Sequence, residues 1–564
     1  MDKRWVIKAA DEEKVLSLQK DLKVHPVICS LLIQRGIYTY DAAKQFFRPS
    51  LSDLHDPFLM RDMEKAVLRI TDAINNNERI LIFGDYDVDG TTAVALMYAF
   101  FYTRYRNIDF YIPDRYKEGY GISYQGIDYA KANNCTVMIA LDCGIKAIDK
   151  AAYAKSLDID LIVCDHHIPG DALPDCYALL DPHRPDCTYP YKDLSGCGIG
   201  FKLIHAYALY HGIPVEQIIS YLDLVVVSIA SDIVPIMGEN RILAYYGLEQ
   251  LNKNPRPGLK ALIEIAGYTP PLNISSIVFG LGPRINAAGR MDDANKAVRM
   301  LISDSVSDAR DGAGELQDKN VDRKAVDKRI TADALNMLQQ DPLTEQRVST
   351  VLHGGDWHKG VIGIVASRLL DHFYRPTILL AESNGMLHGS ARSVKNFDIY
   401  EAIKSCSDLL EQFGGHMYAA GLTMQKDNFE KFRDRFDEVV RASIKPEQLI
   451  PEIEIDAVVT LSDINQPFYK ILKQFAPFGP NNMEPVFMTE QVRNTGRSKI
   501  VGDGHLKVSV KDVSKAIADG IAWQKGHHFD RIATGSPFDI CYTLEENTFR
   551  DMTNLQMLVK DIRI

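Results

Sequence analysis

"ILIFGDYDVDG" occupies residues 80–90. Four apolar residues, Ile80–Phe83, are followed at once by Asp85, Asp87 and Asp89 on alternate positions. A short run of apolar β-formers bounded by glycine reads as a buried strand. Three carboxylates this close repel one another, so a positive charge must sit among them. The pattern recurs along the chain. "TVMIALDCG" ends on Asp142, "DLIVCDHH" ends on Asp165, His166 and His167, and "LVVVSIASDIVP" reaches Asp232. The apolar runs Val137–Leu141, Leu161–Cys164 and Leu222–Ile229 are expected to be strands, and helical patterns such as "TTAVALMYAFFY" lie between them. Short apolar strands alternating with helices imply a parallel sheet covered on both faces. The carboxyl ends of such strands line one crevice. Four strand ends carrying acids or histidines would therefore converge.

The rest of the chain frames this α/β core. At 564 residues it exceeds a single core and divides into several domains. Residues 1–50 read as a helical segment and 51–290 as the parallel α/β domain. Residues 291–345 form a long connecting helix, its middle weakened by Gly312 and Gly314. Residues 346–446 return to a smaller α/β domain. Residues 447–564, with "VFMTEQVRN", "HLKVSV" and "FDICYTL", suit a small β-barrel. No run of about 18 uncharged apolar residues predicts a membrane span. The N-terminal "MDKRWVIKAADEEK" mixes charges and does not read as a secretory signal. Nine scattered cysteines without a CxxC pair indicate reduced thiols and a cytoplasmic protein. The net charge of −11 weighs against a nucleic-acid partner unless bound metal ions reverse the sign locally.

Mixed aspartate and histidine is a ligand set for Mn²⁺, or for Mg²⁺ where oxygens dominate. So many ligands exceed the need of one ion. Two ions about 3.5–4 Å apart would use them, clamp a phosphate and acidify a bound water. The reaction class is hydrolysis of a phosphate ester or anhydride. An isolated Asp-x-Asp-x-Asp could equally be a solvated turn or a single structural cation site; four clusters at strand ends favour a shared centre. Cys143 and Cys164 flank the motifs, but thiolates suit Zn²⁺ better than this oxygen-rich set, so both read as core.

The order Asp85-x-Asp87-x-Asp89, Asp142, Asp165-His166-His167, Asp232 resembles the DHH phosphoesterase superfamily, and "FGGHMYAAG" resembles the GGH signature of its DHHA1 domain. "GDYDVDGTTA", "GLGPRINAAGR", "WHKGVIGIVASRL" and "GSARS" are similar, more narrowly, to the RecJ family of single-strand-specific 5′→3′ DNA exonucleases. The resemblance covers nearly the whole chain. It implies stepwise release of 5′-mononucleotides from single-stranded DNA in repair and recombination, with two Mn²⁺ or Mg²⁺ ions. It implies Asp85, Asp87, Asp89, Asp142, His166 and Asp232 as metal ligands, with Asp142 bridging. Asp142, Asp165 and His167 would carry the catalysis, His167 at the scissile phosphate. Arg284, Arg290, Ser390, Arg392, Gly414, Gly415 and His416 would bind phosphates, by the planar fork of Arg and the close backbone approach that Gly permits. His358 would either start a helix or touch a phosphate. The last segment resembles an OB-fold barrel, where Arg493, Arg497, Lys499, Lys507, Lys511 and Lys515 cluster; such barrels bind single strands by basic grooves and stacking aromatics.

The superfamily leaves alternatives: an oligoribonuclease-like or other DHH phosphodiesterase, or a non-catalytic nucleic-acid-binding relative. Phe83 stands where the pyrophosphatase branch has a histidine. The preference for DNA and the 5′→3′ polarity come from the resemblance alone. A single-strand-binding protein and a helicase stay open as partners, and no membrane is expected.

Overall fold

The computed structural model describes residues 3–549 and 552–564. The chain divides into two compact units, one of residues 5–282, 301–304 and 454–564, the other of residues 1–4, 283–300 and 305–453. It begins with strand β1 (Arg4–Ile7) and three helices over 12–47.

The larger unit is built on a five-stranded parallel sheet. Its strands are β2 (Arg79–Gly84), β3 (Ile108–Tyr111), β4 (Cys135–Leu141), β5 (Asp160–Cys164) and β6 (Ala178–Leu180), in the order β3-β2-β4-β5-β6. The order reverses at β2, so the β2–β4 boundary is the topological switch point where such sheets open a crevice. Register aligns the ends: Gly84 pairs with Leu141, Leu141 with Cys164, and Cys164 with Leu180. Asp85, Asp142, Asp165 and Asp181 each follow one of these residues, so the sheet delivers four aspartates along one edge.

The run Leu222–Ile229 is not a strand. Leu222–Ser231 is a helix buried on nearly every side, and Asp232 caps its C-terminus. An apolar run of this length reads the same as a buried strand or a buried helix. Three strand ends and one helix end therefore carry the expected acids.

The smaller unit holds a mixed sheet of β7 (Thr350–Gly354), β8 (Thr377–Ser383), β9 (Met386–Arg392), β10 (Gln412–His416) and β11 (Ala419–Gln425), in the order β10-β11-β9-β8-β7. One apolar cluster joins Ile330, Trp357, Val365 and Leu379; another joins Ile378, Ile403, Phe432 and Phe436. Helices thus cover both faces. The connecting segment forms Asn295–Ile302 and then a continuous helix, Val306–Gln340. Gly312 does not break that helix; it lets Met300 pack closely, since a Cβ there would lie 3.0 Å from the Met300 Cβ.

After β12 (Glu452–Ile455), the larger unit's second layer is a barrel of β13 (Ala457–Val458), β14 (Phe487–Asn494), β15 (Lys499–Val501), β16 (His505–Lys511), β17 (Ile517–Ala522), β18 (Phe538–Phe549) and β19 (Met552–Arg563). Its order is β13-β14-β18-β19-β17-β16-β15, closed by a β14–β16 pairing. The barrel interior shares one apolar core with the N-terminal helices, from Leu18 and Ile28 through Phe475 and Phe487 to Tyr542.

Candidate active site

At the switch point His166 sits among three carboxylates. Its Nε2 lies 3.2 Å from Asp142 Oδ1, 3.6 Å from Asp232 Oδ2 and 3.8 Å from Asp89 Oδ2. That buried nitrogen makes no hydrogen bond, and neither does the buried Oδ2 of Asp85. Buried polar atoms without partners are rare in folded proteins, and these two mark where an ion belongs. Among the described residues, two trios have ligand atoms close enough to hold an ion, Asp142–His166–His167 and Asp89–His166–Asp232. They share His166, so they are two ends of one continuous cluster.

Each ligand is positioned by its own local structure. Asp89 lies in the first turn of the helix Val88–Tyr102. Its carboxylate accepts from the Gly196 and Cys197 N–H groups at 2.6 and 2.7 Å and from Ser228 Oγ at 2.6 Å. Gly196 is needed there, because a Cβ would lie 2.6 Å from that of Asp142. Asp87 caps the same helix through the Gly90 N–H at 3.0 Å. Asp142 holds φ at +60°, unusual for a residue with a Cβ and typical of strained functional positions.

The electrostatics are those of an acidic cluster suited to a cation. Burial first, then neighbouring carboxylates, pushes Asp85 and Asp142 well above the usual carboxylate range and raises Asp87. The same causes push Asp232 up to about 9. A divalent ion offsets both causes, and the mixed carboxylate–imidazole donor set suits Mn²⁺ or Mg²⁺.

Asp165 behaves differently. Its Oδ1 accepts from His167 Nδ1 at 2.7 Å and from the His166 and His167 backbone N–H groups; its Oδ2 accepts from the Ile145 N–H at 2.8 Å. It anchors the loop and orients His167. Burial alone would raise Asp165, but the His167 hydrogen bond and charge bring it to about 2. Burial lowers His167, and Asp165 overcomes that to bring it to about 9. Its Nε2 lies 3.1 Å from Tyr120 Oη, which donates to the Asp142 carbonyl at 3.4 Å. Tyr120 therefore accepts from His167, consistent with a doubly protonated ring.

Sequence reasoning missed Tyr120, Arg115 over the Tyr86 ring at 4.9 Å, and Asp181. Asp181 has an unpartnered buried Oδ2, and burial pushes it up to about 7. A fifth strand end, "ALLDPH", was the available signal.

The expected phosphate-binding residues lie in the smaller unit. Arg392 Nη1 is 3.1 Å from Ser390 Oγ and donates to the Ala391 carbonyl at 2.7 Å. Register places Arg392, Ala419 and His416 in one row and Ser390, Gly421 and Gly414 two rows on, on the same face. Arg392 and His416 thus share a face about 10 Å apart, two strand spacings. Gly414–His416 belong to edge strand β10 and not to a loop, because their backbone pairs with Ala419–Gly421. Gly415 lies in that strand with φ +150°. Arg284 Nε donates to Gln317 Oε1 at 2.8 Å, and Arg290 Nη1 to the Gly360 carbonyl at 3.1 Å. His358 Nδ1 accepts from the Gly360 N–H at 3.1 Å, next to the start of the helix Ile362–Leu370.

On the barrel, Lys499 pairs across strands with Lys507, and Arg493 with Lys511. Like charges set opposite one another destabilise a sheet, so this outer face is shaped for a polyanion. Trp523, 57% exposed, meets the His505 ring edge-on at its rim.

Fold and site define a metal-dependent phosphoester hydrolase with a DHH catalytic domain. Family models match over the DHH family N-terminal domain at residues 79–229, the DHHA1 domain at 345–442 and the RecJ OB domain at 455–561. The chain belongs to the RecJ family. It is 37% identical to the single-stranded-DNA-specific exonuclease RecJ of Bacillus subtilis, covering 100% of this chain and 71% of that one. It is 33% identical to the Salmonella typhimurium exonuclease RecJ over the whole of both chains. The solved structure of RecJ with Mn²⁺ from Thermus thermophilus superposes with a TM-score of 0.85 at 26% identity, covering 100% of this chain and 79% of that one. A second structure of that protein holds Mg²⁺.

Proposed function

We propose that the protein removes 5′-mononucleotides stepwise from single-stranded DNA, in the 5′→3′ direction, using Mn²⁺ or Mg²⁺. The unpartnered His166 Nε2 among Asp89, Asp142 and Asp232 carries this reading. Asp85, Asp87, Asp89, Asp142, His166 and Asp232 would hold the ions. When bound, the ions supply Lewis-acid stabilisation of the phosphoryl charge and acidify water.

The chain's own residues do the rest. Asp165 keeps the Nδ1 proton of His167 in place, leaving the Nε2 proton for the departing oxygen of the scissile bond. Tyr120 holds that Nε2 in position before substrate arrives. Arg392, Ser390 and His416 bind phosphate through a half-buried guanidinium, a hydroxyl and an edge-strand imidazole. The basic face of the barrel holds the strand. Work on repair and recombination intermediates in the cytoplasm, beside a single-strand-binding protein and a helicase, fits nine free cysteines and this substrate.

The test is a time course on 5′- and 3′-labelled single strands and the matching blunt duplex, with Mn²⁺ and with EDTA. Immediate release of labelled mononucleotide from the 5′ end of single strand, with metal only, is expected. Release from the 3′ end first, or equal cleavage of duplex, overturns the reading. Asp142→Ala is expected to lower turnover by at least a thousandfold while the circular dichroism spectrum and melting curve stay those of a folded protein.

A further inference from the structure

The larger unit also carries an apolar groove that the chemistry above leaves unused. Its volume is about 850 Å³, within the range of small-ligand sites, about 300–1,000 Å³. Four of its lining side chains stand out in water: Ile233, Tyr245, Phe279 and Met483, at 65, 43, 76 and 62% exposure. Apolar groups clustered this way mark an interaction surface. Ile233 directly follows Asp232, so the lining of the groove continues in the chain from a residue whose carboxylate belongs to the cluster.

The backbone is unusual at two of these side chains. Ile233 has φ +61°, a conformation β-branched residues rarely adopt. Phe279 lies on a single wide π-helical turn, Ile277–Leu281, a feature concentrated at functional sites. Its neighbour Gly280 packs against Tyr268 so closely that a Cβ would lie 2.2 Å from the ring. The opposite wall is the loop 475–483, which is pinned. Arg241 donates to the Phe475 and Ala476 carbonyls at 2.8 and 2.9 Å, and Arg35 to the Met483 carbonyl at 2.8 Å. The groove is preformed.

Four of its polar side chains are already engaged. Lys473 pairs with Glu546 at 2.8 Å, and Glu249 with Lys253. Asn252 exchanges both amide bonds with the Leu272 backbone at 3.0 and 2.6 Å. Asn273 accepts from the Ser276 N–H and hydroxyl. Glu484 adds a carboxyl to the lining. A phosphate would meet repulsion here, whereas a flat uncharged ring would meet Phe279 and Tyr245.

We infer that this groove takes a nucleobase of the strand whose phosphodiester lies at the cluster, stacks it on Phe279, and does so without reading its identity. The inference rests on the proposed exonuclease function. Continuity with the cluster through Asp232 and Ile233 selects nucleic acid over a protein segment.

The test is single-turnover release of a 5′ label with Mn²⁺, at rising enzyme concentration. Strands carrying one abasic residue at successive positions are compared for wild type, Phe279→Ala and Phe279→Trp. Phe279→Ala is expected to raise the half-saturating concentration about tenfold on the intact strand. At one abasic position wild type and Phe279→Ala should become equal, while Phe279→Trp behaves as wild type on intact strand. All four bases at that position should saturate alike. Equal saturation of wild type and Phe279→Ala on every strand overturns the inference, as does one common loss whichever position is abasic. Failure of wild type to cleave any single strand would sink the proposed function instead; cleavage by wild type with an unchanged Phe279→Ala sinks the groove alone.

Discussion

An ion bound at Asp232, as proposed, competes with a proton. Burial and the charges of Asp89 and Asp87 bring Asp232 to about 9, and Asp85, Asp87 and Asp142 are raised for the same reasons. A carboxyl whose pKa is raised keeps its proton at neutral pH, and a cation competes with that proton. Mn²⁺ binding should therefore release at least one proton per molecule at pH 7, and affinity should rise with pH up to about 9. Calorimetry in buffers of different ionisation heat reads the proton count; uptake without release would contradict the raised carboxyls. The Asp165–His167 pair has the opposite signs. The raised His167 adds stability that is complete below about 6.5, its unfolded value, and is lost as pH rises through about 9. The lowered Asp165 adds stability that is complete above about 3.9 and is lost as pH falls through about 2. The pair thus contributes fully only between those unfolded values. In the ion-free protein the His167 ring should titrate near 9 by nuclear magnetic resonance, and Asp165→Asn should move it down toward about 6.5.

At the scale of elements, the carboxylate ends of β2, β4 and β5 were legible because each strand is short, apolar and ended by an acid. The barrel was legible from short strands and turns. The helix Leu222–Ser231 was not, because its Val225–Val227 run favours a strand locally and only burial on nearly every side makes it a helix. Its acid, Asp232, still reaches the cluster, since a helix end can aim a side chain as well as a strand end can. Tyr120 escaped notice because its loop follows β3, "IDFY", whose apolar signal is broken by a charge. Arg241 was equally silent. It lies in the helix Gly238–Lys253, and its guanidinium binds the carbonyls of Phe46, Gln474, Phe475 and Ala476 at 2.8–3.1 Å over the Phe46 ring. Burial lowers it to about 9. No local pattern announces a residue whose partners lie about 200 positions away. Arg241→Met should lower stability by about 3 kcal/mol or more, because several buried carbonyls lose their donor. Arg241→Lys should recover little of it, since one ammonium cannot serve four carbonyls. Chemical denaturation of the three proteins decides this; an Arg241→Met curve matching wild type would remove the residue from that role.

For the whole molecule the difficulty is charge. A net −11 would repel DNA if it were spread evenly. It is not spread evenly. Carboxylates gather at the cluster, where cations neutralise them, and the barrel's outer face sets Lys499 against Lys507 and Arg493 against Lys511. Among the described residues no carboxylate pairs with Lys499, Lys507 or Lys511. Those three charges are therefore available to phosphates, and their mutual repulsion is relieved when a strand binds. Single strands release counterions at about 0.7 per phosphate neutralised, so replacing all three lysines by alanine should flatten the slope of log affinity against log salt by about 2. The loss should be larger on long strands than on dinucleotides, which carry no phosphates beyond those held at the cluster. Fluorescence anisotropy across a salt series measures the slope, and single-turnover cleavage of a dinucleotide measures the centre. An unchanged slope would mean that the strand follows another face; an equal loss of dinucleotide cleavage would mean that the lysines act through the fold and not through phosphate contacts.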